Sequence, residues 1–76
     1  MEKKIRLTDP EAPTAPFLFS VGYQVRLKND STAQGTIRGG QFVGGLPGGA
    51  YGIHYEIEQE EGFVFLAGEI DLEKVD

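Results

Sequence analysis

Phe19-Ser20-Val21-Gly22 leads into Tyr23-Gln24-Val25-Arg26-Leu27-Lys28, then Asn29-Asp30-Ser31, then Gln34-Gly35-Thr36-Ile37-Arg38-Gly39. Val25 and Leu27 alternate with Gln24, Arg26 and Lys28, the two-residue period of a strand with one buried and one wet face. Asn, Asp and Ser reverse a chain readily because their short polar side chains bond nearby backbone. A second strand is predicted from about Gln34 to Val43, with Ile37 its clearest core residue. Two such strands joined by a short turn form a hairpin, and this hairpin sets the fold.

Downstream, Gly39 to Gly52 holds seven glycines in fourteen residues, with Pro47 among them. This composition predicts a long, mobile hairpin loop. A phosphate-cradling loop needs a following Lys-Ser or Lys-Thr that opens a helix, and neither follows here. Tyr51, Ile53, Tyr55 and Ile57 then alternate with Gly52, His54, Glu56 and Glu58, the cleanest strand pattern in the chain. Gln59-Glu60-Glu61-Gly62 supplies the next turn. Phe63-Val64-Phe65-Leu66-Ala67 abandons alternation, since all five residues are apolar. A strand of a tiny barrel keeps one wet face, so either the tail or a loop covers this run or it forms a subunit interface, and the interface is the favoured expectation. Gly68 to Asp71 reads as a short turn of helix, and Leu72 to Val75 as a closing strand.

Upstream, Pro10, Pro13 and Pro16 recur among Thr, Asp, Glu and Ala. Each removes a backbone donor and biases the residue before it to extended geometry. Residues 1–16 are therefore expected to form a flexible leader, with Ile5 and Leu7 its only anchors. Residues 17–76 are expected to form the folded unit. The element pattern predicts an all-β chain, a small five-stranded SH3-like barrel behind a disordered N-terminal leader.

Size and charge narrow the function. A domain of 76 residues buries only ~60% of the surface its unfolded chain exposes. With no Cys, neither disulfides nor thiolate metal ligation can add stability, which favours self-association. Twelve acidic against seven basic residues give a net charge of −5, and such a chain repels a phosphate backbone. No apolar run reaches membrane-spanning length, and Met1 to Leu7 lack the apolar core of a signal peptide. The expected location is the cytoplasm.

The spacing resembles that of the plasmid-encoded type II dihydrofolate reductases of trimethoprim resistance. The likeness covers roughly Phe19 to Val75. It runs through Phe19, Gly22, Val25-Arg26, Lys28, Gln34-Gly35, Ile37 and Gly39, resumes at Tyr51, Ile53, Gly62 and Val64, and ends on Leu72-Glu73-Lys74-Val75. The resemblance implies an SH3-like barrel and a homotetramer around a central pore. It does not carry the activity across. The pore glutamine and tyrosine of that family fall on Phe65 and Ala67, the pore lysine on Leu27, and its tryptophan on Ala33. A hydrogen-bonding site stripped of its donors leaves its ligand's polar groups unpaired.

The other constellations are weak. His54, Glu56 and Glu58 project from one strand face, and without a second His they read as a solvated surface rather than a metal site. The glutamates from Glu56 to Glu61 read as an acidic edge that discourages stray strand pairing. Arg26, Lys28 and Arg38 form a possible basic patch for nucleic acid, a reading the acidic total opposes. Tyr23, Phe42, Tyr51 and Tyr55 could form an aromatic cage, although their alternation with core residues favours packing. One His and no Cys leave little material for nucleophilic catalysis.

The expectation is therefore a non-catalytic binding or accessory module without a cofactor, of the kind carried by mobile elements. It assembles as a homodimer or homotetramer through Phe63, Val64, Phe65, Leu66, Ala67 and Leu27. The alternatives are a dihydrofolate reductase-like enzyme whose altered pore takes a small molecule, and a nucleic-acid-binding barrel.

Overall fold

The computed structural model describes residues 3–75. They form one antiparallel sheet of six strands: β1 (Lys3–Arg6), β2 (Gln24–Leu27), β3 (Asp30–Gly44), β4 (Gly52–Glu58), β5 (Val64–Gly68) and β6 (Leu72–Lys74). Single 3-10 turns at Ala12–Thr14, Pro47–Gly49 and Glu69–Asp71 are the only helical elements among the described residues. None is long and apolar enough to cross a membrane. The all-β expectation therefore holds, with six strands in place of five.

The fifteen-residue β3 organises the sheet. Its first half pairs with β2, from Gln24↔Thr36 to Leu27↔Asp30. Its second half pairs with β1, from Arg6↔Gln41 to Lys3↔Gly44. Along its other edge it pairs with β4 from Thr36 to Val43, and the register slips between Ile37 and Gly39. A bulge of this kind bends a strand and tightens its twist, so one strand can serve both halves of a curled sheet. Gly40 helps at the bend, because a Cβ there would stand 3.0 Å from Cδ1 of Tyr55. The order is β5-β4-β3-β2-β6, with β1 beside β3. Strands β5 and β6 end the order without pairing to each other, so the sheet is open.

Its concave side holds the core. Val25, Ile37, Tyr55 and Ile57 are sealed from solvent, and Phe19, Ile53, Ala67 and Leu72 complete the cluster. Leu7, Phe17, Leu27, Phe42 and Phe65 pack around its rim. The inner row Ile53-Tyr55-Ile57 is the one that the alternation of β4 predicts.

Two sequence readings need correction. The presumed leader contributes β1, where Ile5 is buried opposite Phe42. The amide of Leu7 donates to the Gly40 carbonyl at 2.8 Å and extends that attachment. Burial of one apolar residue between charged neighbours outweighs the proline-rich composition that follows. The glycine-rich stretch is also shorter as a loop than expected, because Gly39, Gly40 and Gly44 lie within β3. Only residues 45–51 connect β3 to β4.

Candidate functional site

Strand β5 separates its five apolar residues by face. Tyr55↔Ala67 and Ile57↔Phe65 are inner pairs, whereas Glu56↔Leu66 and Glu58↔Val64 are outer pairs. Ala67 is buried and Phe65 half-buried against the core. Leu66, at 70% exposed, and Val64 face outward, and Phe63 is 66% exposed where the turn meets the strand. Of the expected interface residues, Phe63, Val64 and Leu66 are therefore available to a partner. Phe65 and Ala67 belong to the core of their own chain. Leu27 lies elsewhere, on β2 opposite Leu72, and leans on the same core.

The free edge of β5 has its own chemistry. The amide of Gln59 donates to the Phe63 carbonyl at 2.7 Å, which makes that pair hydrogen-bonded. Antiparallel pairs alternate, so Phe65 and Ala67 bond to β4 while the amides and carbonyls of Val64 and Leu66 point away from it. No charge guards this edge. By contrast, β1 carries Lys3, Lys4 and Arg6, and β6 carries Glu73 and Lys74. Charged side chains are a usual defence of exposed strand edges, and of these three edges β5 alone lacks one.

The outer face of β1, β3 and β4 carries a shallow groove of about 660 Å³. Lys4 and Arg6 of β1, Arg38 of β3, His54 and Glu56 of β4 and Leu66 of β5 line it, and the Glu56 carboxylate lies over Gly39. The proposed trio Arg26, Lys28 and Arg38 is thus divided. Arg26 pairs with Glu73 on β6 at 3.2 Å, Lys28 follows β2, and Arg38 lies at the groove, 3.9 Å from Glu58. Sequence reasoning missed Lys4 and Arg6 because it placed them in a leader. The signal was the alternation of Lys4 and Arg6 with Ile5 and Leu7.

The aromatic residues do not converge into a cage. Tyr23 lies under the Lys74 ammonium, 4.6 Å from the ring centre. Phe42 packs on Tyr51 at 5.6 Å. Tyr55 receives the ring edges of Phe17 and Phe19 at 6.0 and 5.3 Å. The Tyr55 hydroxyl donates to Glu69 at 2.5 Å and accepts from the amides of Leu18 and Phe19 at 3.1 and 3.3 Å. Burial raises the Tyr55 pKa, and the adjacent Glu69 carboxylate raises it further. This phenol fastens the strand-free segment 17–19 to the sheet. Its partners are all satisfied within the fold, which marks it as structural.

His54, Glu56 and Glu58 occupy successive outward positions on β4. Among the described residues, no three His, Cys, Asp or Glu side chains are grouped to hold a metal ion. A second depression, of about 730 Å³, lies between Gln24, Gln34 and the acidic β4–β5 turn. Its amides, carboxylates and the hydroxyls of Thr32 and Thr36 offer hydrogen bonds.

These features define an all-β sheet protein with one unguarded edge and a cationic groove on its outer face. No protein-family model, curated protein or solved structure matches the chain.

Proposed function

We propose that this chain is a non-catalytic, self-associating binding module of the cytoplasm. Its curled sheet is of the SH3-like barrel type, and two copies join through the edge of β5. The single observation behind this reading is the uncharged free edge of strand Val64–Gly68, with Leu66, Val64 and Phe63 bare beside it. A second β5 laid antiparallel would satisfy the outward amides and carbonyls of Val64 and Leu66 on both copies. It would also shield apolar side chains that contribute roughly 1.5–3 kcal/mol each when fully buried. The edge is its own complement, so a two-fold pairing needs no other partner. The resemblance of the sequence to the type II dihydrofolate reductases, which assemble as tetramers, is in line with the same reading. The apolar residues at the positions of that family's pore groups support a module without reductase activity.

Sedimentation velocity tests the assembly at tens of micromolar, on the order of the concentrations that populate weak interfaces. The wild-type chain should sediment as a dimer or larger. Val64→Lys should sediment as a monomer with unchanged far-UV circular dichroism, since the new charge faces solvent in the single chain. A monomeric wild type overturns the reading. Turnover of dihydrofolate with NADPH would overturn its non-catalytic half.

A further inference from the structure

Two surface features carry opposite charge, and each holds residues outside the ion pairs found among the described residues. The groove gathers Lys4, Arg6 and Arg38, three of the seven cationic residues of a chain with net charge −5. Among the described residues the ion pairs are Arg26–Glu73 and Arg38–Glu58, so Lys4 and Arg6 stand unpaired. Glu56 is the one carboxylate lining the groove.

The other feature is the β4–β5 turn. It is held closed by Gln59 N–H to Phe63 carbonyl at 2.7 Å and Gly62 N–H to Gln59 carbonyl at 2.9 Å. Gly62 takes φ +87°, a conformation that favours glycine. The turn therefore presents Glu60 and Glu61 on a set backbone, both exposed and neither in an ion pair. Exposed Phe63 follows at its base. The turn begins at Gln59, five residues beyond His54, roughly 16 Å at the rise of a strand. It shares no lining residue with the groove.

We propose that the groove receives the Glu60–Glu61 tip of a second copy, head to tail. This rests on the self-association reading and adds a second contact to it. Lys4 and Arg6 would meet the two carboxylates on the β1 side of the groove, away from Glu56, whose carboxylate lies over Gly39. The contact joins different surfaces on the two copies, so it can link β5-paired dimers into larger assemblies. Being ionic and near solvent, it should weaken as the screening length falls from about 10 Å at 0.1 M salt to about 3 Å at 1 M. The edge contact, built from backbone bonds and apolar side chains, should persist.

The experiment is sedimentation velocity of the full chain at low and high salt. Wild type should form species larger than a dimer at low salt and return to the dimer at high salt. The double variants Lys4→Glu/Arg6→Glu and Glu60→Lys/Glu61→Lys should each stop at the dimer. An equimolar mixture of the two should regain the larger species, because each supplies the charge that the other lacks. Failed edge pairing would appear separately, as a wild type that falls to the monomer at high salt or as a high-salt dimer that survives Val64→Lys. Charge-reversed chains that still form the larger species would overturn the groove contact, as would a mixture that fails to restore them. Assembly indifferent to both reversals, with inorganic phosphate shifting the Arg6 and His54 resonances, would assign the groove to a small anion and overturn the proposal.

Discussion

Tyr55 couples the stability of the fold to alkaline pH through one side chain. Its ring is sealed in the core while its hydroxyl bridges Glu69 and the amides of Leu18 and Phe19. Tyr55→Phe keeps the ring and leaves the Phe19 amide without its acceptor, which should cost about 1–3 kcal/mol in urea unfolding. The folded pKa of this phenol lies above its ordinary 10.0. The stability it contributes is therefore complete below pH 10.0. Above that value the unfolded chain releases the proton first, so stability falls as pH rises toward the folded pKa. Urea midpoints from pH 8 to 11 should decline in the wild type, and the Tyr55→Phe chain should lose that part of the decline. Gly35 is as tightly placed. A Cβ there would meet the Glu58 carbonyl and stand 2.7 Å from Cγ2 of Ile57. Gly35→Ala should lose about 1–3 kcal/mol by overpacking, read as a lowered melting temperature. Gly35 was legible in the sequence only as part of a Gln-Gly pair. Its need for glycine comes from the approach of β4, which no local pattern records.

Among the elements, β4 was the most legible, because Ile53, Tyr55 and Ile57 keep a strict period of two over one buried face. Strand β5 was half legible. Its location and apolar surplus could be read, but a run with no polar residue gives no phase, so its inner and outer faces could not be separated. The register with β4 separates them. It also changes what a mutation means. Phe65→Glu would place a charge against the core and should unfold the chain rather than merely dissociate it. Val64→Lys should keep the circular dichroism spectrum and the melting curve of the subunit while abolishing the dimer. Measuring both variants by sedimentation and thermal melting separates core from interface. Strand β1 was the element least visible in advance. Four residues carry its pattern, and its partner lies almost forty positions away, from Gln41 to Gly44. The basic groove was hidden with it, since Lys4 and Arg6 reach Arg38 and His54 only through that pairing.

On the scale of the whole molecule, strand β3 is the shared member of the sheet. Strands β1, β2 and β4 all pair with it directly, while β5 and β6 join through β4 and β2. Native-state hydrogen exchange should follow this hierarchy. Amides in the middle of β3 should exchange only when the entire chain opens, and those of β1 and β5 should exchange sooner through local fraying. If β5 amides prove as protected as β3 at high protein concentration and lose that protection on dilution, the edge is covered by another copy. The bend at Gly39 and Gly40 then acquires a mechanical meaning. It is a corner through which the two arms of the sheet feel each other, so a load applied at the outer arm is passed directly into the beam that holds the inner one. A molecule built around a single spine has no spare half to fall back on, and it should give way all at once.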